Sequence, residues 1–199
     1  MKISSIIFVT ISSILLLTGC NPNNASTKEI SEAEFAAKLD AVKPYTYSTA
    51  TIHATEQRRG TGDFALNKDF DRTENYIYYP DTGAWLVDHG DSLLRKYLYN
   101  FDSLNSFKSW VENIYLDYEY TYYSDFSVTI KENGSYYDDY GSFIREVTQT
   151  SEMTIKLNQY GYLVSMVASY NQSITQTEGN NILQGTISGN TTVDIKLNK

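Results

Sequence analysis

The strongest constraint on the fold is the alternation of apolar and polar residues through the C-terminal part of the chain. Val147, Met153, Ile155 and Leu157 share one parity; Thr148, Thr150, Glu152 and Thr154 hold the other. Tyr162, Val164, Met166, Ala168 and Tyr170 alternate with Leu163, Ser165, Val167, Ser169 and Asn171. Ile187, Val193, Ile195 and Leu197 alternate with Ser188, Thr192, Asp194 and Lys196. Side chains leave a strand on opposite faces in turn, so a period of two builds sheets with one buried and one more polar face. Turns at Asn158–Gly161 and Gly179–Asn180 separate these runs, and their closeness in sequence favours antiparallel hairpins. Phe126–Ile130 alternates too, and Asn133-Gly134 reads as a tight turn beyond it.

Upstream, Ser31-Glu32-Ala33-Glu34 fits a capping box, with Ser31 as N-cap and Glu34 at N3. Ile30 and Phe35 stand at staple positions. Phe35, Leu39 and Val42 share a helical face, and Pro44 ends the helix. Tyr45–Gln57 reads as a strand, Arg58–Gly62 as a turn and Gly62–Leu66 as the return strand. Tyr76–Tyr79 and Ala84–Val87 flank Pro80-Asp81-Thr82-Gly83 as a second hairpin. Ser92–Tyr99 and Ser103–Ile114 have helical spacing, each opened by a Ser that can cap. The expected class is α+β: a curved antiparallel sheet packed against an N-terminal helix and a short central helical insert.

The N-terminus carries a different signal. Met1-Lys2 precedes an apolar run, Ile3–Leu17, that falls short of the ~20 residues a membrane-spanning helix needs. It ends in Leu17-Thr18-Gly19-Cys20, which holds the single cysteine of the chain. This segment resembles the signal and lipobox of bacterial lipoproteins. The resemblance implies cleavage before Cys20 and acylation of its thiol, hence a signal peptide over 1–19, a lipidated cysteine with a polar tether over 20–29, and one domain over 30–199. It also implies that the protein sits on the extracytoplasmic face of a bacterial membrane, held by the acyl chains on Cys20. Each buried methylene contributes about 0.8 kcal/mol to such an anchor. With one cysteine, the fold stands without internal disulfides.

Charge narrows the partners. The chain has 24 acidic and 16 basic side chains, a net charge of −8, and loss of residues 1–19 removes Lys2 from the basic side. The acidic balance argues against nucleic acid as a partner, whose phosphates it would repel, and against electrostatic adhesion to anionic lipid. Tyrosine is unusually abundant: 18 Tyr against 8 Phe and 2 Trp. Tyr suits half-buried strands, with its ring on apolar surface and its hydroxyl in water, and it also suits binding surfaces. Tyr118, Tyr120 and Tyr122 share one parity, a candidate strip for stacking on sugar rings or gripping a protein partner, or for packing within the sheet.

The order of tether, helix, hairpins, helical insert and long antiparallel strands resembles the LolA/LppX-like half-barrel group of exported proteins. That resemblance is one of element order and implies a curved sheet whose concave side holds an acyl chain or another lipid. On parity, the lining would be Val147, Met153, Val164, Met166, Tyr170, Val193 and Ile195. The same residues serve equally well as an ordinary filled core.

Signs of catalysis are weak. His53 lies in a Thr-rich strand, where a solvent-facing or locally bonded role is expected. His89 sits in Asp88-His89-Gly90-Asp91, which reads as a polar turn before a helix. No Gly-x-Ser-x-Gly elbow, calcium loop or phosphate-cradling Gly-rich loop is present, and Asp69/Asp71 and Asp138/Asp139 read as solvated surface charge. The expectation is a noncatalytic protein with no metal and no cofactor. Two roles stand: a binding protein for a lipid or other apolar ligand, or a surface protein that contacts an envelope polymer or protein partner through a Tyr-rich face.

Overall fold

The computed structural model describes residues 27–39, 44–61, 69–90, 92–98, 108–109, 111–112 and 116–199. The lipobox with Cys20, most of the tether, the return strand expected at Gly62–Leu66, and Val42 lie outside the described residues.

Nine strands form one open, curved, antiparallel sheet. They are β1 (Glu29–Ile30), β2 (Thr46–Gly60), β3 (Asp69–Tyr79), β4 (Ala84–Val87), β5 (Asp117–Tyr123), β6 (Ser127–Asp139), β7 (Ile144–Leu157), β8 (Leu163–Glu178) and β9 (Asn181–Asn198). Their order across the sheet is β1-β5-β6-β7-β8-β9-β2-β3-β4. From β5 to β9 each strand pairs with the next in sequence, as short turns dictate. β9 then closes onto β2, which brings the N-terminal hairpins to the far side.

The capping box forms as the sequence predicts. Glu34 N–H donates to Ser31 Oγ at 3.2 Å, and Ser31 N–H donates to Glu34 Oε2 at 3.2 Å. It starts helix α1 (Glu32–Lys38), which ends at Leu39, before Pro44. Its single apolar stripe buries Phe35 fully, 5.2 Å from the ring of Tyr122 on β5. In the central insert a 3-10 turn at Arg95–Tyr97 stands where the sequence predicts a helix over Ser92–Tyr99, and Glu112 N–H donates to the Lys108 carbonyl at 2.8 Å; most of the helix predicted over Ser103–Ile114 lies outside the described residues. Lys108 Nζ reaches both carboxylate oxygens of Glu32 at 2.8 Å and ties this part of the insert to α1.

Three strand expectations are corrected. Arg58–Gly60 do not turn: they continue β2, with Arg58 opposite Ile187 and Gly60 opposite Gly185. Asn133-Gly134 is no turn: β6 runs straight through it, with Asn133 opposite Thr150 and Gly134 opposite Gln149. A long ladder on β7 outweighs the local turn preference, and Gly134 keeps a negative φ. Tyr76–Tyr79 is no separate short strand. It is the end of β3, which pairs with β2 from Asp69 onward. The turns at Pro80–Gly83, Asn158–Gly161 and Glu178–Asn181 form where expected; Gly83, Gly161 and Gly179 supply the positive φ each needs.

The core lies on one face of the sheet, here the inner face. One register row crosses it as Tyr122, Val128, Ile155, Met166, Val193 and Ile52. The neighbouring aromatic group explains much of the tyrosine content. Tyr47 packs edge-on against Tyr78 and Tyr162 at 5.5 and 5.3 Å and lies 5.4 Å from Trp85. Edge-to-face contacts of this kind add about 0.5–1.5 kcal/mol each beyond area burial. The strip Tyr118, Tyr120 and Tyr122 also packs inward. Its rings stack on one another, and the first two hydroxyls donate to the Val111 carbonyl at 3.1 Å and Glu112 Oε1 at 3.0 Å.

Candidate functional site

The inner face changes character along the strands. The core row is followed by a mixed row: Ile130, Met153, Ala168, Thr191 and Ala54. The next row is largely polar: Glu132, Ser151, Tyr170, Gly189, Glu56 and Phe70, one residue from each of β6, β7, β8, β9, β2 and β3. Beside it run Gly134, Gln149, Gln172, Ile187 and Arg58.

These rows sort the seven residues the sequence assigned to a lining. Six share the inner face, but they do not share one cavity. Met166 and Val193 are sealed from solvent and Ile195 is nearly so; they belong to the packed core with Ile52 and Ile155. Met153 packs against that core's edge. Tyr170 stands in the polar row, and Val147 lies two rows beyond it, opposite Ile174. Val164 is the exception. Lys156 pairs with Ser165 and Leu157 with Leu163, so Val164 falls in a register shift with no partner on β7. Parity alone does not reveal a bulge, which resets the alternation. Met166, Val193 and Ile195 thus serve the packed core, one of the two alternatives the sequence left open, while Val147 and Tyr170 lie outside it and Tyr170 lines the crevice described next.

An open crevice of about 210 Å³ does occur on the inner face, where it meets the Leu93–Tyr97 segment. Ala54, Phe70, Leu93 and Leu94 give it apolar walls; Glu56, Arg58, Lys96 and Tyr170 give it polar ones. Tyr170 donates to Glu56 Oε2 at 2.5 Å, and Arg58 Nε donates to Glu56 Oε1 at 2.5 Å. Burial alone would raise the Glu56 pKa. The bonds from Tyr170 and Arg58, with the charges of Arg58 and Lys96, outweigh it and hold the carboxyl below its ordinary range. The Tyr170 hydroxyl moves up, through burial and through its bond to that carboxylate. Glu56 is thus an ionised acceptor, already engaged on both oxygens.

One buried carboxylate holds the crevice wall in place. Glu74 on β3 accepts from Leu93 N–H at 3.3 Å, Leu94 N–H at 3.0 Å, Arg72 Nε at 2.5 Å and the Tyr76 hydroxyl. Burial pushes its pKa up, but these donors push harder, and the net shift is downward. The two N–H groups open the 3-10 turn, so an anion fixes a segment that has few backbone bonds of its own. Sequence reading passed over Glu74; its signal is a charge at an inward-facing parity of an otherwise apolar strand end.

The ionisable groups singled out in the sequence are dispersed. His53 Nε2 bonds Asp71 Oδ1 at 2.8 Å on the outer face, between neighbouring strands. His89 is almost fully exposed in a turn where Gly90 has a φ of 85°. Asp69 pairs with Arg59 at 2.6 Å, and Asp139 accepts from Gly141 N–H at 2.8 Å. Among the described residues no three His, Cys, Asp or Glu side chains are grouped to hold a metal, and no helix is long and apolar enough to cross a membrane.

Comparisons with protein-family models, with curated proteins and with solved structures find no match for this chain.

Proposed function

We propose that this chain is a lipid-anchored, extracytoplasmic, noncatalytic binding protein, a half-barrel that holds a lipid or other partly apolar ligand against the inner face of its sheet. The crevice between that face and Leu93–Tyr97 carries the reading. Its walls are apolar on one side and charged or hydroxylated on the other, which suits an amphiphile: burial of the apolar part contributes about 25 cal/mol per Å², and the polar groups fix orientation. The anchor rests on the lipobox-like Leu17-Thr18-Gly19-Cys20. The test is native mass spectrometry with lipid extraction on the protein purified from cells. A lipid in defined stoichiometry is the expected result; a clean apoprotein after mild extraction overturns it.

A second reading, recognition of a protein or envelope polymer by exposed aromatics, draws on a different place from the one expected. Tyr118, Tyr120 and Tyr122 face inward, whereas Tyr137, Tyr140, Ile144 and Ile182 stand exposed at the β6–β7 and β8–β9 ends. Loss of binding to whole cells in Tyr137→Ser/Tyr140→Ser, with lipid content unchanged, would favour this role.

A further inference from the structure

Beside the crevice the inner face carries a directed chain of side-chain amides. Gln172 Nε2 on β8 donates to Gln149 Oε1 on β7. Gln149 Nε2 donates to Glu132 Oε1 on β6 at 2.6 Å, and Ser151 Oγ donates to Glu132 Oε2 at 2.6 Å. Tyr170, Glu56 and Arg58 continue the same band across β8 and β2, with Gly189 of β9 between them. From Glu132 to Glu56 the band crosses four interstrand gaps, roughly 19 Å.

Its composition is unexpected for an inner face. Amides and carboxylates on that side of a half-buried sheet lose hydration, and each stays only where it is bonded. The pairs above satisfy part of their capacity and leave the rest unused. Each amide group has two donors and a carbonyl with two lone pairs. Gln172 Oε1 accepts no hydrogen bond from the described residues, and Gln149 uses one of its two N–H groups there. The carboxylate at the end of the chain polarises the amides leading to it, which strengthens them as donors and acceptors. Glu132, Gln149, Ser151, Gln172, Tyr170 and Glu56 are half-buried, Arg58 is exposed, and the band opens at the crevice beside the rings of Phe70, Tyr97 and Tyr170.

Paired donors and acceptors set a few ångströms apart, with aromatic rings at one end, match the vicinal hydroxyls and C–H faces of a sugar. A bare acyl chain would leave their remaining hydrogen-bonding capacity unused. We infer that the band Glu132–Gln149–Gln172–Tyr170–Glu56 binds the saccharide part of the ligand, a short oligosaccharide either free or as the head of a glycolipid. This inference rests on the proposed ligand site and specifies its polar half.

The test uses the full-length lipoprotein in phosphatidylglycerol vesicles. Two probes are applied: free linear oligosaccharides of glucose and of N-acetylglucosamine, and the same vesicles containing diglucosyl diacylglycerol. Gln149→Met/Gln172→Met keeps side-chain length and removes the amides; Ser151→Ala provides a gentler variant should the first fail to fold. Binding of a free oligosaccharide, weakened about tenfold or more in the folded variants, supports the inference with a free glycan as source. Binding of the glycolipid alone, with the same loss, supports it with a lipid-linked source. Binding of neither probe overturns the inference. If an unglycosylated lipid still copurifies, the broader lipid-binding reading survives that failure; if no lipid copurifies, both fall.

Discussion

Tyr170 rests on Gly189, its cross-strand partner, so closely that a Cβ on the glycine would lie 2.6 Å from three atoms of the phenol. Gly189 keeps an ordinary negative φ, so space and not backbone freedom requires glycine there. Gly189→Ala should push the ring off the sheet and break its bond to Glu56. We expect a loss of about 1–3 kcal/mol, in the range of overpacked sites, read as a lower urea midpoint at unchanged slope. A variant as stable as the parent would mean that Tyr170 has another seat.

Glu74→Gln tests the anion under the crevice wall. The amide keeps the shape, but it loses the charge and turns one acceptor into a donor facing donors. Hydrogen bonds to charged groups contribute about 1.5–3 kcal/mol each, and the expected loss is at least about 2 kcal/mol. Amide exchange should quicken first at Leu93 and Leu94, whose N–H groups are held by Glu74. Uniform quickening across the domain would contradict the local tethering role.

Acid should destabilise the fold through three carboxylates. Glu56, Glu74 and Asp125 all titrate below their ordinary range despite burial, Asp125 through Lys156 and Ser127. A depressed folded pKa means weaker proton binding in the folded chain. The stabilisation is complete above the unfolded carboxylate pKa and is lost as pH falls through the folded one. The urea midpoint should therefore stay level from about pH 7 to about 5 and drop below about pH 4. Glu74→Gln should show a shallower drop; an equal drop would assign the effect elsewhere.

Ser31→Ala removes the N-cap of a seven-residue helix and should cost about 1 kcal/mol. Because α1 is short, the loss should appear as undocking of Phe35 from Tyr122, visible as quickened amide exchange through residues 34–38. Ser31→Asp should restore most of the protection.

Cys20→Ser should abolish acylation and release the protein from membranes in a high-salt wash. Continued retention of a folded variant would reject the anchor. The substitution lies far in sequence from the buried core, so the urea midpoint of the domain should not move.

The elements most legible in the sequence were those fixed locally. Ser31 and Glu34 define a cap within four residues, and the Pro80–Gly83 turn sets the β3–β4 hairpin. Parity placed Met153, Met166, Val193 and Ile195 on one face. Parity is silent on whether the space above them is occupied, and here Met166, Val193 and Ile195 belong to one packed core with Ile52 and Ile155, against which Met153 packs. Long-range pairing decided the rest. Asn133-Gly134 yielded to the β6–β7 ladder, and Val164 fell in a bulge. The polar band was hidden for the same reason: Glu132, Ser151, Tyr170 and Glu56 align only once four interstrand registers are set, and those registers depend on turn lengths and on the β9–β2 closure. Asn133 or Tyr120 looked no less promising in isolation.

Both borders of the sheet are capped by strands shorter than the ones they cover. β1 pairs with only Tyr122 and Tyr123 of β5, and β4 with only Tyr76–Tyr79 of β3. Beyond the caps, β5 carries Asp117 and Glu119, and β3 carries Asp69 and Asp71, at exposed positions. Like charges on these margins repel an identical neighbour before backbone pairing can begin. These acidic positions thus disfavour the zipping of copies of this chain into continuous sheets.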